Sequence, residues 1–341
     1  MSAASVTTGT VLSAEARLRD LPRERLAILP SPLHEVPRLG AEIGGPALWI
    51  KRDDLLGFGL GGNKVRGLEL LLADALAVGA DTLVTGAGPQ SNHVRATAAA
   101  AAVAGLAMVA VYFGREPSVA EGNLMVTRLF GGETRFTGDD DRTSVDRGIA
   151  QVSAELRSAG RAPYAIPRGG ASALGVLGQV LAVVELAEQV LTLGLRPDRI
   201  ILAVGSGGTL AGWLLGTRLF GLEWAIVGYS VSRPVDEAKD RVMTLATDAA
   251  AVLGVPLPPS FREAIDVRGG VIGDGYGIPS AAGIAALEQV ARHEGIVLDE
   301  TYTAKAFGGY LADVAAGGFK DVPTVVFLHT GGELPRTVGR G

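Results

Sequence analysis

The sequence predicts an α/β protein with parallel sheets covered by helices, long enough for two domains. Three observations predict it. Apolar runs of strand length alternate with longer stretches whose apolar residues recur at helical spacing. Glycine-rich clusters fall where strand candidates pass into helix candidates, as at the ligand-binding edge of such sheets. With 341 residues, 48% hydrophobic and 20% charged, the chain can bury two ordinary cores.

Ala47 to Lys51 is a short strand candidate, and Val65 to Val78 has helical spacing that Gly79 stops. Asp81 to Thr85 reads as a strand, Asn92 to Ala104 as a helix, and Leu106 to Phe113 as the next strand. Helices are expected over Glu121 to Phe130, Asp146 to Ser158 and Leu174 to Thr192. Then come strand Ile200 to Val204, helix Leu210 to Phe220, strand Trp224 to Tyr229, helix Ala281 to His293 and strand Thr324 to Leu328. Residues 1–12 are small and polar and read as a loose tail without a basic start before an apolar core, so a cytoplasmic location is expected. No charge separates Arg95 from Arg115, a length that could cross a bilayer. Gly105 divides that stretch into an Ala-rich part and a β-prone part, which favours helix, turn and buried strand.

Composition excludes several functions. A net charge of -5 with no run of Lys or Arg argues against a nucleic-acid surface. There are no cysteines, and the four histidines are scattered without a HExxH pair, so no metal site is expected.

Chemistry is expected at three places. Lysine is rare here, with five residues (51, 64, 239, 305 and 320) against 26 arginines. Lys64 follows Gly61-Gly62-Asn63 at a helix start, and a desolvated lysine can form an imine where arginine cannot. A solvated lysine at a helix N-terminus is the alternative, although the dipole disfavours it. Gly205, Ser206, Gly207, Gly208 and Thr209 join a strand to a helix and suit a phosphate; a plain tight turn is the other reading. A dinucleotide fingerprint fails because Leu210 takes the sixth position, and a P-loop fails because Asn63 and Val65 flank Lys64. Ser91 reads as an N-cap, and the helix start it caps would offer N–H groups to a carboxylate.

These elements, in this order, resemble the D-cysteine desulfhydrase and 1-aminocyclopropane-1-carboxylate (ACC) deaminase family of fold-type II pyridoxal phosphate (PLP) enzymes, whose architecture is tryptophan synthase β-like. The runs that carry the resemblance are LPSPLHEVPRL, LWIKRDD, GGNKVR, GAGPQSNHVRATAAAAA, PRGGASALGVLG, GSGGT, GDGYGIP, LDETYTAKA and HTGG, spread from about Leu26 to Gly332. The resemblance implies a large PLP-binding domain from residues 1–65 and 171–341, a small α/β domain from 66–170, and a homodimer. It also implies that Lys64 holds the cofactor with Asn63 beside it. Gly205 to Thr209 would cradle the phosphate, and Ser91, Asn92 and His93 would receive the substrate carboxylate. Tyr276 and Tyr302 would stand over the substrate. Thr303 and Thr330 occupy places where the ring-opening branch carries Glu and Leu, which favours β-elimination from cysteine-like amino acids over ACC deamination. A sulfo-lyase acting on cysteate, and a PLP carrier without turnover, are the remaining alternatives. Gly67 stands where relatives carry a phosphate-neutralising lysine, so either Arg66 compensates or the phosphate is under-neutralised and the cofactor binds less tightly, in which case Gly67→Lys would tighten it.

Overall fold

The computed structural model describes residues 8–332. The first half runs α1 (Thr8–Asp20), β1 (Leu33–Glu35), α2 (Pro37–Ile43), β2 (Ala47–Arg52), α3 (Lys64–Ala77), β3 (Thr82–Ala87), α4 (Asn92–Ala104), β4 (Ala107–Tyr112), α5 (Gly122–Leu129), β5 (Glu133–Phe136), α6 (Ser144–Ser158) and β6 (Pro163–Ala165). The second half adds α7 (Ala173–Leu193), β7 (Arg199–Val204), α8 (Gly208–Leu219), β8 (Ala225–Ser230), α9 (Val235–Leu253), β9 (Asp266–Arg268), α10 (Ala281–Glu294), α11 (Thr303–Ala315) and β10 (Thr324–His329).

Two sheets result. One has the order β1-β2-β10-β7-β8-β9 and the other β5-β4-β3-β6. All pairs are parallel except β1 with β2. Ile200, Ile201 and Leu202 of β7 have no exposed surface, as expected for a strand covered on both faces. The loops that follow β3, β7 and β10 carry the glycine clusters, so these strand ends define where a ligand can sit.

The uncharged stretch folds as helix, turn and strand. Ser91 caps α4 by accepting from Val94 N at 3.3 Å, and Gly105 ends it in the left-handed region at φ 69°. The most membrane-like helix is instead α7. It packs on α3, α8 and α9, with Val176, Leu177, Val180, Val183 and Leu186 fully buried.

Several expectations need correction. The reading of residues 1–12 as a tail fails from Thr8 onward, because α1 starts there. Ala14 and Leu18 of α1 are buried in the core, and Arg17 donates to Leu253 O at 2.9 Å. Residues 1–7 lie outside the described residues. Helices α2, α9 and α11 and strands β1, β5, β6 and β9 were not expected. The four strands have only three or four residues, too short for a periodic signal, and all four lie at sheet edges.

Candidate active site

The cleft lies at the ends of β3, β7 and β10, and its floor is Lys64. This residue opens α3, one residue after Gly61 (φ 71°) and Gly62 (φ 101°), both at positive φ, with Asn63 between. A Cβ on Gly61 would lie 2.0 Å from Asp54 O, so only glycine fits that approach. Asn63 locks the position: its N donates to Thr330 O at 3.0 Å, its Nδ2 donates to Thr209 Oγ1 at 2.8 Å, and its O accepts from Gln179 Nε2 at 2.9 Å. Lys64 itself has no hydrogen-bond partner or carboxylate among the described residues. Its side chain is half-buried and lines the cleft. Burial pushes it down to about 8. That is a value at which a lysine can be a nucleophile or a base.

Two sets of backbone donors face the same space. Asn92 and His93 form the first turn of α4, so their N–H groups have no intrahelical acceptor. Gln90 and Asn123 brace this turn, with Asn123 Nδ2 donating to Gln90 O and to Asn92 Oδ1 at 2.9 Å each. Across the cleft, Gly207 (φ 90°) turns the chain from β7 into α8. Ser232 Oγ and Arg233 Nε both donate to Gly205 O, at 3.2 and 3.0 Å, which fixes the loop. Ser206 Oγ is buried with no partner.

The rest of the wall is aromatic and polar. Tyr276 and Tyr302 share a short hydroxyl–hydroxyl hydrogen bond, with ring centroids 5.9 Å apart and an edge-on tilt of 70°. Burial first, and then the neighbouring Tyr276 and Asp299, raise the Tyr302 hydroxyl well above the usual phenol range, so it stays protonated. Asp299 accepts from the N–H groups of Thr301, Tyr302 and Thr303 at 3.0, 2.9 and 2.8 Å and so fixes Tyr302 at the head of α11.

The family described as pyridoxal-phosphate dependent enzyme matches residues 24–331. The chain belongs to that family. It is 41% identical over 318 residues to a Pyrococcus abyssi protein whose name carries 1-aminocyclopropane-1-carboxylate deaminase as a provisional activity, covering 93% of this chain and 94% of that protein. It is 38% identical over 321 residues to the D-cysteine desulfhydrase of Salmonella choleraesuis, covering 92% and 95%. A crystal structure of an ACC deaminase homologue superposes with a TM-score of 0.86 at 36% identity, covering 94% of each chain. A threonine deaminase at 21% identity and TM-score 0.63 shares the fold.

The cleft fits the cofactor of this family. The unpartnered Lys64, the orphan Ser206 hydroxyl and the first-turn amides of α8 are the three features that PLP would satisfy. A Cβ on Gly205 would come within 3.1 Å of Tyr302 Cε1, so side-chain bulk is excluded beside that ring. Lys64, Asn63, Ser91, Asn92, His93, Gly205, Ser206, Gly207, Thr209, Tyr276, Tyr302 and Thr330 all line the cleft, with Gly208 on a small adjoining cavity.

Two expected roles do not match the geometry, and a third, that of His93, is open to its backbone N–H but not to its ring. Thr303 is fully buried and does not line the cleft; its hydroxyl donates to Asp299 Oδ1 at 2.7 Å and accepts from Asp299 N at 2.8 Å. It holds the head of α11, and Thr330 alone of the pair faces the cleft. Arg66 cannot neutralise a phosphate there. Its guanidinium is bound to Asp53 at 2.7 and 2.8 Å and to Glu185 at 3.0 Å, beneath α3. The His93 ring cannot offer a proton to a carboxylate in the cleft. Thr85 Oγ1 donates to Ile166 O at 2.9 Å, so its 3.1 Å contact with His93 Nε2 must use the ring proton. Burial, then the Lys64 charge, hold the ring neutral with its value down at about 3.

Gly67 also has a structural reason. A Cβ there would lie 2.8 Å from Gly175 O, and one on Gly178 would lie 2.3 Å from Arg66 O, so α3 and α7 cross at backbone contact. Gly67→Lys is therefore expected to destabilise the fold by about 1–3 kcal/mol through overpacking, without tightening PLP. Chemical unfolding together with PLP titration measures both. Tighter PLP at an unchanged unfolding midpoint would show that the helices part to admit the side chain.

Sequence reasoning missed Phe113, Arg142, Arg168, Ser232 and Arg233, which also line the cleft. Arg142 follows Asp139, Asp140 and Asp141, a run that reads as a solvated loop.

Proposed function

We propose that this chain catalyses β-elimination from β-substituted amino acids of the cysteine type, releasing pyruvate, ammonia and the leaving group. One observation carries the reading: a partnerless, desolvated amine lies between two sets of free backbone N–H groups. The first turn of α4 would hold the substrate carboxylate, and the loop after β7 would hold the cofactor phosphate. Lys64 would hold PLP, with Asn63 and Thr330 beside it, and the bound cofactor would supply the electron sink that makes the α-proton acidic. Lys64 Nζ, uncharged in a working fraction of molecules near pH 8, takes that proton. The Tyr276–Tyr302 pair keeps a phenolic proton at the mouth of the cleft, where a departing β-substituent can receive it. The aromatic wall excludes bulk water while the proton moves.

The D-cysteine desulfhydrase relative supports this reaction for the present chain, and the deaminase relative supports ring opening of ACC as the second reading. The cleft favours the first. No Asp or Glu is among its lining residues. Ring opening has no ready leaving group and gains most from a carboxylate that keeps the pyridine nitrogen protonated. The expected result is pyruvate from β-substituted D- or L-amino acids at a kcat/KM at least about tenfold above 2-oxobutanoate from ACC. Preference for ACC would replace the reaction while leaving the cofactor assignment intact. The proposal includes a homodimer, which equilibrium sedimentation tests, and a cytoplasmic location.

A further inference from the structure

The two tyrosines of the cleft stand on different elements, and one buried cation joins those elements. Tyr302 is the N-cap residue of α11, whereas Tyr276 sits on the strap of residues 269–280 between β9 and α10. No residue of the strap is buried, although Val271 packs against a core cluster near its start. Gly270, Gly273, Gly275 and Gly277 all have positive φ, at 81°, 65°, 152° and 78°. Neither core packing nor a regular hydrogen-bond ladder therefore sets the path of this backbone.

Lys305 sets it from beneath. Its Nζ donates to Ile272 O at 2.6 Å and to Gly275 O at 2.9 Å, and Gly275 directly precedes Tyr276. Lys305 is 1% exposed and has no carboxylate in ion-pair range among the described residues. It also lies in the first turn of α11, where the helix dipole opposes a cation. Burial, opposed by the charges of Asp274 and Asp299, lowers its proton affinity below that of an ordinary lysine. A buried ammonium kept against these costs is accounted for by the two carbonyls it gathers, since charge-assisted hydrogen bonds are the strong ones. One helix start thus carries Tyr302 and, three residues on, holds Tyr276 against it through the strap. Arg142 covers the Tyr276 ring, with its guanidinium carbon 4.3 Å from the centroid and its NH1 donating to Ser232 O at 3.1 Å. We propose that Lys305 is a positioning residue that latches the strap, so that the Tyr276 and Tyr302 hydroxyls meet at the mouth of the cleft. This rests on the proposed β-elimination, in which that pair supplies the proton taken by the departing β-substituent.

The test uses the holoenzyme in a double-mutant cycle, with both enantiomers of cysteine as substrates. Lys305→Met replaces the ammonium by an apolar end of similar length, and is expected to lower kcat/KM roughly 30-fold by misplacing the proton donor. In a Tyr276→Phe background the same change is expected to cost less than about threefold, because the hydroxyl that the latch places is already gone. Equal losses in the two backgrounds, or a loss below about threefold in the first, overturn the inference, because Lys305 would then act through the fold alone. The absorbance of bound PLP shows whether each variant keeps its site. Where Lys305→Met does not, Lys305→Gln, which keeps a donor of shorter reach, carries the same cycle. A second arm does not depend on turnover. Chymotrypsin is expected to cut after Tyr276 at least about tenfold faster in Lys305→Met than in the wild type, with the fragments identified by mass. An unchanged cutting rate overturns the latch. Faster cutting, alongside a wild type inactive on every amino acid, leaves the latch standing and removes the β-elimination reading.

Discussion

Replacing Lys64 with alanine is expected to lower turnover by at least about 10³-fold, because one amine serves both as the cofactor anchor and as the base. The choice of this lysine is structural. Lys51 is fully buried, with Nζ donating to Ser31 O and Gln189 Oε1 at 2.6 Å each and paired with Glu185. Lys305 Nζ donates to Ile272 O at 2.6 Å and Gly275 O at 2.9 Å. Lys64 is the lysine among the cleft-lining residues. Borohydride reduction followed by peptide mapping should place the fixed cofactor on Lys64, and the alanine variant should bind PLP without fixing it. Cofactor recovered on another lysine would sink the assignment. A variant that keeps a tenth of the wild-type rate would leave Lys64 as anchor and move the base elsewhere.

Much of this site was legible because its signals are local. The Gly61-Gly62-Asn63 approach, the Ser91 cap and the Gly205–Thr209 turn each lie within a few residues, and each appears where the spacing places it. Helix α9 was legible and overlooked: Ala238, Val242, Leu245, Ala249 and Leu253 are buried along one face at helical spacing. Helix α11 was hidden by Gly308 and Gly309, which usually argue against a helix interior. Here a Cβ on Gly309 would lie 2.5 Å from Tyr229 Cδ1, and one on Gly308 would lie 2.9 Å from Ala282 O. Missing that helix also hid the role of Thr303, since its tie to Asp299 makes sense only at a helix start. Arg142 could not be read at all. Its surroundings come from Ser232 and Tyr276, far away in sequence, while its neighbours in the chain are acids.

Arg66 shows the same limit, and it carries the second large expected effect. Arg66→Leu should cost about 3–5 kcal/mol of stability, the usual result of leaving buried charges unpaired. The guanidinium satisfies Asp53 and Glu185 together, and Ser31 and Lys51 complete the cluster. Burial pushes the Glu185 carboxyl up, but hydrogen bonds and charge from Arg66, followed by Lys51, outweigh it and hold the group at about 2. A depressed carboxyl contributes stability that is complete above its unfolded value and is lost as pH falls through its folded one. Wild-type stability from this pair should therefore persist above pH about 4.5 and fade between there and about 2. In Arg66→Leu the remaining carboxylates lose their main partner, so the decline should begin at higher pH. Because α3 carries both Arg66 and Lys64, looser packing beneath the helix should also weaken PLP binding. Urea unfolding at pH 7 and pH 4, with PLP titration of both proteins, measures all three effects. A loss below about 1 kcal/mol at pH 7 would show that Lys51 and water can neutralise the cluster without Arg66.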